Sequence, residues 1–188
     1  MKVNEIFYSL QGEGHFTGTA AVFLRLSGCN LACSFCDTLH QDGRQYTDQE
    51  ILQQIREYPS RHVVITGGEP ALQLTSEFVD LLHDNGYFVQ VETNGTIPVP
   101  ENVDWITCSP KSRPICYRAV NELKVVFQDD GDDFSRFDTV EAGCRYLQPC
   151  DVNDVERNAA ITGHCIEFIK RNPQWRLSLQ THKILGMR

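Results

Sequence analysis

Hydrophobic positions fall into short blocks whose period changes along the chain. Residues 2–8 alternate apolar and polar, and residues 20–26 are almost continuously apolar, so both predict strands. Residues 47–58 switch to a helical period: Ile51, Leu52 and Ile55 form one stripe, and Thr47 and Glu50 have capping-box spacing. A short buried strand is expected at 62–66 and a helix at 76–85, with Gly86 as its stop. The next strand is 87–92, followed by the turn residues Asn94 and Gly95. Short strands are expected at 105–108, 122–127 and 144–147. The longest helix is 153–171, with capping-box spacing at Asn153 and Glu156 and Pro173 just past its end. Residues 175–179 close the pattern as a strand.

Strands alternating with helices predict an α/β fold: a mostly parallel sheet with helical crossovers. No internal repeat, low-complexity stretch or linker divides residues 1–188, so one domain is expected. A closed eight-fold barrel takes about 250 residues. This chain has 188, which favours an open or partial barrel with its site at the carboxyl ends of the strands.

The formal charge is −8, from 17 basic and 25 acidic residues, which argues against direct binding of nucleic acid. Asp129, Asp130, Asp132 and Asp133 carry part of the excess and read as a solvated loop. The apolar runs at 20–24 and 62–65 are far too short to span a bilayer, and the N-terminus lacks the apolar region of a signal peptide. A cytoplasmic protein that acts on a small molecule is expected, with no membrane association. In a reducing compartment, eight cysteines point to metal binding rather than disulfides.

Three of them stand together: Cys29-Asn-Leu-Ala-Cys33-Ser-Phe-Cys36, directly after a predicted strand. Soft thiolates suit zinc or iron–sulfur clusters. A closed zinc site takes four ligands, and His40 is the only near candidate for a fourth. Three ligands on a four-iron cluster leave one iron open to a cofactor. Cys108, Cys116, Cys144, Cys150 and Cys165 have no ligand spacing and read as small buried or part-exposed residues.

The CxxxCxxC spacing with Phe35 before its third cysteine resembles the radical S-adenosylmethionine (SAM) superfamily. Thr66-Gly67-Gly68-Glu69-Pro70 and Glu92-Thr93-Asn94-Gly95, each at the end of a predicted strand, resemble the superfamily's next segments in order. A narrower set covers nearly the whole chain. It comprises Phe7-Tyr8-Ser9-Leu10-Gln11-Gly12-Glu13-Gly14, Arg25, Cys36-Asp37-Thr38, Cys108-Ser109-Pro110-Lys111, Glu122-Leu123-Lys124, Tyr146-Leu147-Gln148-Pro149 and Leu179-Gln180-Thr181-His182-Lys183. This set resembles the 7-carboxy-7-deazaguanine synthase family of queuosine biosynthesis.

The resemblance implies a single radical SAM domain over 1–188, folded as a partial (open) radical SAM β/α barrel. It implies a lyase that converts 6-carboxy-5,6,7,8-tetrahydropterin to 7-carboxy-7-deazaguanine with loss of ammonia. One 4Fe–4S cluster would be held by Cys29, Cys33 and Cys36, and magnesium by Thr38. SAM would lie along Phe35, Cys36, Asp37, Gly68, Ser109, Pro110, Lys111, Gln148, Pro149, Cys150 and Asp151. In the family, a GGEP-like segment such as Gly67–Pro70 meets the amino group of SAM. The pterin would contact Leu10, Gln11, Gly12, Glu13, Arg25, Thr66, His182 and the C-terminal Arg188. Arg25 suits the substrate carboxylate because a planar guanidinium pairs with it bidentately. The radical is generated on the cofactor, so no catalytic side chain is implied. A homodimer and an external electron donor such as a flavodoxin complete the expectation. Two alternatives share the cysteine spacing: an activase that forms a glycyl radical on a partner enzyme, and a non-catalytic zinc or iron–sulfur module.

Overall fold

The structure is a computed structural model that describes residues 1–36, 41–111, 115–131 and 133–187. Two long strands open the chain, β1 (Lys2–Leu10) and β2 (Ala20–Leu26), followed by a two-residue strand β3 (Arg44–Gln45) and helix α1 (Asp48–Ile55). Then come β4 (His62–Gly67), a single 3-10 turn at Pro70–Leu72, α2 (Ser76–His83), β5 (Phe88–Thr93) and β6 (Trp105–Cys108). The second half holds β7 (Ala119–Phe127), a 3-10 turn at Phe134–Phe137 and β8 (Glu141–Pro149). It continues with α3 (Val155–Arg171), β9 (Arg176–Leu177) and a short C-terminal helix, α4 (Thr181–Leu185).

Among the described residues, nine strands form one sheet in the order β3-β1-β2-β4-β5-β6-β7-β8-β9. The first two pairings are antiparallel, and every later one, from β2–β4 to β8–β9, is parallel. Beyond β2 the strand order follows the chain without reversal, and the two edge strands do not meet. The sheet is thus an open barrel wall, as the length predicts. Helical crossovers are fewer than the alternation predicts: among the described residues, neither 94–104 nor 128–140 contains an α-helix. These connections leave little room for a helix and both of its turns.

The outer face of the sheet carries two apolar cores. Leu24, Ile65, Val89 and Val91 meet the stripes Ile51, Leu52, Ile55 of α1 and Phe78, Val79, Leu82 of α2. Leu123, Val125 and Leu147 meet Ile161 and Cys165 of α3, with Phe134, Phe137 and Trp175 sealing the end. Strand residues alternate between these cores and the inner face. Val64, Thr66, Glu92, Lys124 and Gln148 therefore point into the concave side, where a cavity forms.

Most predicted boundaries lie within two or three residues of the observed ones. The capping box at Thr47 is present, with Glu50 N donating to Thr47 Oγ1 and Thr47 N to Glu50 Oε2 at 2.7 Å. At α3 the expected cap is off by one. Asp154 is the cap, accepting from Arg157 N at 3.0 Å, whereas Asn153 adopts a left-handed turn with φ 57°. Residues 175–179 form a strand only at Arg176–Leu177, because Trp175 turns into the second core. β3 and α4 were not expected. Asp129, Asp130 and Asp133 are exposed, and Asp132 lies outside the described residues. Among the described residues, no helix is long and apolar enough to cross a membrane.

Candidate active site

The cysteine loop leaves β2 at Ser27 and is held from below by the two segments that follow it in sequence. Gly68 N donates to Leu26 O at 3.0 Å, and Glu69 N to Gly28 O at 2.8 Å. Two glycines are needed for this approach. Gly67 has φ +124°, and a Cβ on Gly68 would stand 1.9 Å from Gly28 O. Glu69 is fully buried, and its carboxyl accepts from Ala71 N, Thr93 Oγ1 and Asn94 N at 3.0, 2.7 and 2.7 Å. That carboxyl ties the end of β4 to the end of β5. Asn94 Nδ2 in turn donates to Asn30 Oδ1 at 2.9 Å, and Asn30 Nδ2 to Thr96 Oγ1 at 2.8 Å. The GGEP and ETNG segments thus form the scaffold of the cysteine loop.

A cavity of about 660 Å³ lies over the carboxyl ends of the parallel strands. Cys29, Cys33 and Cys36 share its wall with Phe35 and Gly68. None of the eight cysteines is in a disulfide. Cys29 Sγ accepts the Leu31 N–H at 3.4 Å. Burial pushes the Cys33 thiol up, and the Lys111 ammonium opposes that shift. Three soft sulfur donors on one cavity wall, one of them already accepting an amide hydrogen bond, fit a 4Fe–4S cluster. Among the described residues no three His, Cys, Asp or Glu converge on a single ion.

Most of the other expected site residues meet in the same cavity. Ser109, Lys111, Gln148, Pro149, Cys150 and Asp151 line it beside the cysteines, and Leu10, Gln11, Gly12, Glu13, Arg25, Thr66 and His182 line it across from them. Pro110 is described but does not line it. Asp37, Thr38, His40 and Arg188 lie outside the described residues. Ser109 is anchored by its N–H to Thr93 O at 2.7 Å, and its hydroxyl accepts from Lys111 Nζ at 2.7 Å. Lys111 Nζ also sits 5.9 Å from the centre of the Phe35 ring, and burial pulls its pKa below the ordinary lysine range.

Arg25 occupies an inner strand, paired with Glu5 on β1 and Thr66 on β4. Its Nε donates to Glu5 Oε1 at 2.8 Å, and its guanidinium lies 5.7 Å from the centre of the Phe7 ring. His182 reaches the cavity because α4 docks on the loop after β1. Thr181 N and Oγ1 both donate to Gly12 O, at 3.0 and 2.8 Å. A Cβ on Gly12 would stand 2.3 Å from His182 Nδ1, so the glycine is required by this contact.

A cluster around Lys124, a residue that sequence reasoning left without a role, forms the floor. Lys124 Nζ donates to Glu13 Oε2 at 2.6 Å and to Glu92 Oε2 at 2.9 Å. Gln11 and Gln90 amides donate to Glu92 Oε1, both at 3.2 Å, and Gln180 Nε2 donates to Glu13 Oε1 at 3.1 Å. Burial would raise the Glu13 carboxyl, but Lys124 outweighs it and holds it down to about 2. Burial also dominates at Glu92 and pushes that carboxyl up, with Glu122 and Glu13 adding repulsion. The available signal was inward-facing charge on a strand, Lys124 in the middle of β7.

The Radical SAM superfamily model matches residues 24–107. The chain is 50% identical to a 7-carboxy-7-deazaguanine synthase of Bacteroides thetaiotaomicron, over all of this chain and 98% of that protein. It is 40% identical to the Burkholderia multivorans synthase of the same name, covering 98% of each. The crystal structure of QueE from Escherichia coli superposes with a TM-score of 0.80 at 31% identity, covering 96% of this chain and 94% of that one. Relatives matched over their whole length are synthases, so the activase and binding-module alternatives are not favoured. An inner cavity with three thiols, reached by parallel strands in chain order and matched over its full length by these relatives, places the chain in the 7-carboxy-7-deazaguanine synthase family of the radical SAM superfamily.

Proposed function

We propose that this chain is a radical SAM lyase that converts 6-carboxy-5,6,7,8-tetrahydropterin to 7-carboxy-7-deazaguanine with release of ammonia. The observation that carries this reading is one cavity that combines the three thiols with a cationic wall at Arg25 and an acidic floor at Glu13. A carboxypterin has matching ends: an anionic carboxylate and a ring edge rich in N–H donors. Cys29, Cys33 and Cys36 would hold a 4Fe–4S cluster. When bound, that cluster supplies one-electron cleavage of SAM and, through it, hydrogen-atom abstraction from the substrate.

The chain's own residues bind, orient and exclude water. Phe35, Cys36, Gly68, Ser109, Lys111 and the Gln148–Asp151 stretch would hold SAM beside the thiols, with Asp37 and Pro110 added by the family resemblance. Arg25 and Thr66, neighbours across the β2–β4 pairing, would receive the substrate carboxylate. Leu10, Gln11, Gly12 and Glu13 would hold the ring, and His182 would reach it from α4. Magnesium at Thr38 and a contact from Arg188 belong to the proposal through the resemblance alone, and no step is derived through the ion. A homodimer, an external donor such as a flavodoxin, a single domain over 1–188 and a cytoplasmic location complete it.

The test is anaerobic reconstitution followed by incubation with SAM, a reductant and the carboxytetrahydropterin. Formation of 7-carboxy-7-deazaguanine and ammonia, read by mass, is expected, with turnover slowed by removal of divalent cations. SAM cleavage with no pterin product would overturn the reading. Turnover indifferent to chelator would remove magnesium from it, and a monomer by sedimentation would remove the homodimer.

A further inference from the structure

Lys124 belongs to the Glu122-Leu123-Lys124 motif, to which the sequence attaches no function. It sits in the middle of β7, with its side chain only 5% exposed. A buried ammonium is costly unless paired, and here its partners come from two other parts of the fold: Glu13 from the loop after β1, and Glu92 from the end of β5. Without it, two half-buried carboxylates would face each other with no counter-charge between them. Further hydrogen bonds radiate from this bridge. Gln11 and Gln90 fix Glu92, and Gln180 reaches Glu13 from the segment before α4.

We propose that Lys124 is a positioning residue for substrate recognition: by bridging Glu13 to Glu92 it holds Glu13 in place as a charged acceptor for the N–H donors of the pterin ring. The inference rests on the carboxypterin reading above. Lys124 acts through Glu13 and makes no claim on the reacting atoms. The charged groups that act on Glu13 are Lys124 on β7, Glu92 on β5, Lys111 from the segment after β6, and His182 on α4, with Glu122 of β7 beside Glu92 and Lys124. Lys124 is the cation bonded directly to it, and its attraction keeps the Glu13 carboxyl at about 2, while burial pushes its neighbour Glu92 up. Removing Lys124 leaves burial and the Glu92 charge opposed only by the Gln180 hydrogen bond and the more distant His182 and Lys111, which moves the balance toward a proton on Glu13. A protonated Glu13 offers a weaker, uncharged acceptor to the ring.

The experiment measures binding of 6-carboxypterin by its fluorescence to cluster-loaded, SAM-bound protein between pH 5.5 and 7.5. The ratio of variant to wild-type Kd cancels titration of the ligand. Lys124→Met is expected to weaken binding at least tenfold at pH 5.5, with the ratio shrinking as pH rises and Glu13 re-ionises. Lys124→Arg, which keeps the charge, is expected to lose less and to show a flat ratio. If Lys124→Met does not fold, the charge-balanced Lys124→Met/Glu92→Gln replaces it with the same expected trend. A ratio that is flat with pH for the variants lacking the charge, or binding as tight as wild type, overturns the inference. Failure of wild type to bind 6-carboxypterin would overturn the carboxypterin reading and this inference with it, whereas wild-type binding with a flat ratio overturns this inference alone.

Discussion

Arg25 is the expected anchor for the substrate carboxylate, and its Nε already donates to Glu5 Oε1 at 2.8 Å. The pair sets the guanidinium against the Phe7 ring and restricts its rotamers before any substrate arrives. Pre-organisation of this kind lowers the cost of binding. Removing one partner of a desolvated hydrogen-bonded charge pair costs about 2–5 kcal/mol, so Arg25→Ala should lower kcat/KM for the carboxypterin by about 1.5 to 3.5 orders of magnitude. Lysine should rescue partly, since it supplies charge without the planar fork. Loss of SAM cleavage with unchanged pterin binding would remove Arg25 from the substrate site. Gly12 makes a second prediction at this scale. A methyl group there would meet His182 Nδ1 at 2.3 Å and force α4 to shift. Overpacking of this sort costs about 1–3 kcal/mol, so Gly12→Ala should raise KM for the pterin roughly 5- to 150-fold in steady-state kinetics. An unchanged KM would show that His182 is not held by this contact.

Among the elements, α4 depends most on the rest of the fold. It has five residues, exposes Ile184 and Leu185, and has no side-chain cap. An isolated helix of that length is unstable in water, so its docking contacts hold it. One of these is Asp151, at the end of β8, whose Oδ2 accepts from Lys183 Nζ at 3.0 Å while Oδ1 accepts from Asn153 N and Asn158 Nδ2 at 2.9 and 2.7 Å. These hydrogen bonds hold the Asp151 carboxyl at about 2, below its ordinary 3.8. A lowered carboxyl pKa adds stability at pH above the unfolded value, and that stability is lost as pH falls through the folded one. Asp151→Asn should therefore lower the thermal midpoint at pH 7, and the gap from wild type should close as pH falls from about 4 to about 2. A gap that persists at pH 2 would show that the effect is packing and not charge. The same element view explains what the pattern along the chain could reveal. α1 and α2 carry their own apolar stripes, and both helices were legible, α1 with its capping box, while the Thr75 cap of α2 was not anticipated. α4 and β3 have no local signal, since they are made by partners far away in sequence.

At the scale of the molecule, the open sheet does two jobs. Its outer face buries the two apolar cores, and its inner face can then be polar without unfolding the domain. That is how Lys124, Glu13 and Glu92 come to lie on a cavity floor. The cavity gathers the three thiols at one end, so reconstituted protein should hold about four irons per chain, the content of one 4Fe–4S cluster. Cys33→Ala should abolish SAM cleavage, while Cys116→Ala, on an exposed cysteine away from the cavity wall, should retain iron and cleavage. Iron analysis with detection of cleaved SAM checks both, and full activity in Cys33→Ala would overturn the cluster assignment. Cys108 and Cys165, buried in the second core with thiols pushed up to about 12, behave as small apolar residues and are poor ligands.

Period and spacing were enough for the α/β class, the parallel strands, helices α1 and α2 with the capping box of α1, and the order of the cysteine, GGEP and ETNG segments, because each of these is a local property. A stripe must face a core, a β-branched run must pair, and three thiols within eight residues must lie near one another. Three further features required the fold. Arg25 finds Glu5 through an antiparallel pairing twenty residues apart. Glu69 serves as a clamp between strand ends, with its carboxyl consumed by Ala71, Thr93 and Asn94. Lys124 meets Glu13 across 111 residues and Glu92 across 32. Each depends on strand register, which sets the side chains that face one another on the inner wall. A single sequence carries the alternation of a strand, but which strand lies beside it, and at what offset, is settled only when the whole sheet packs.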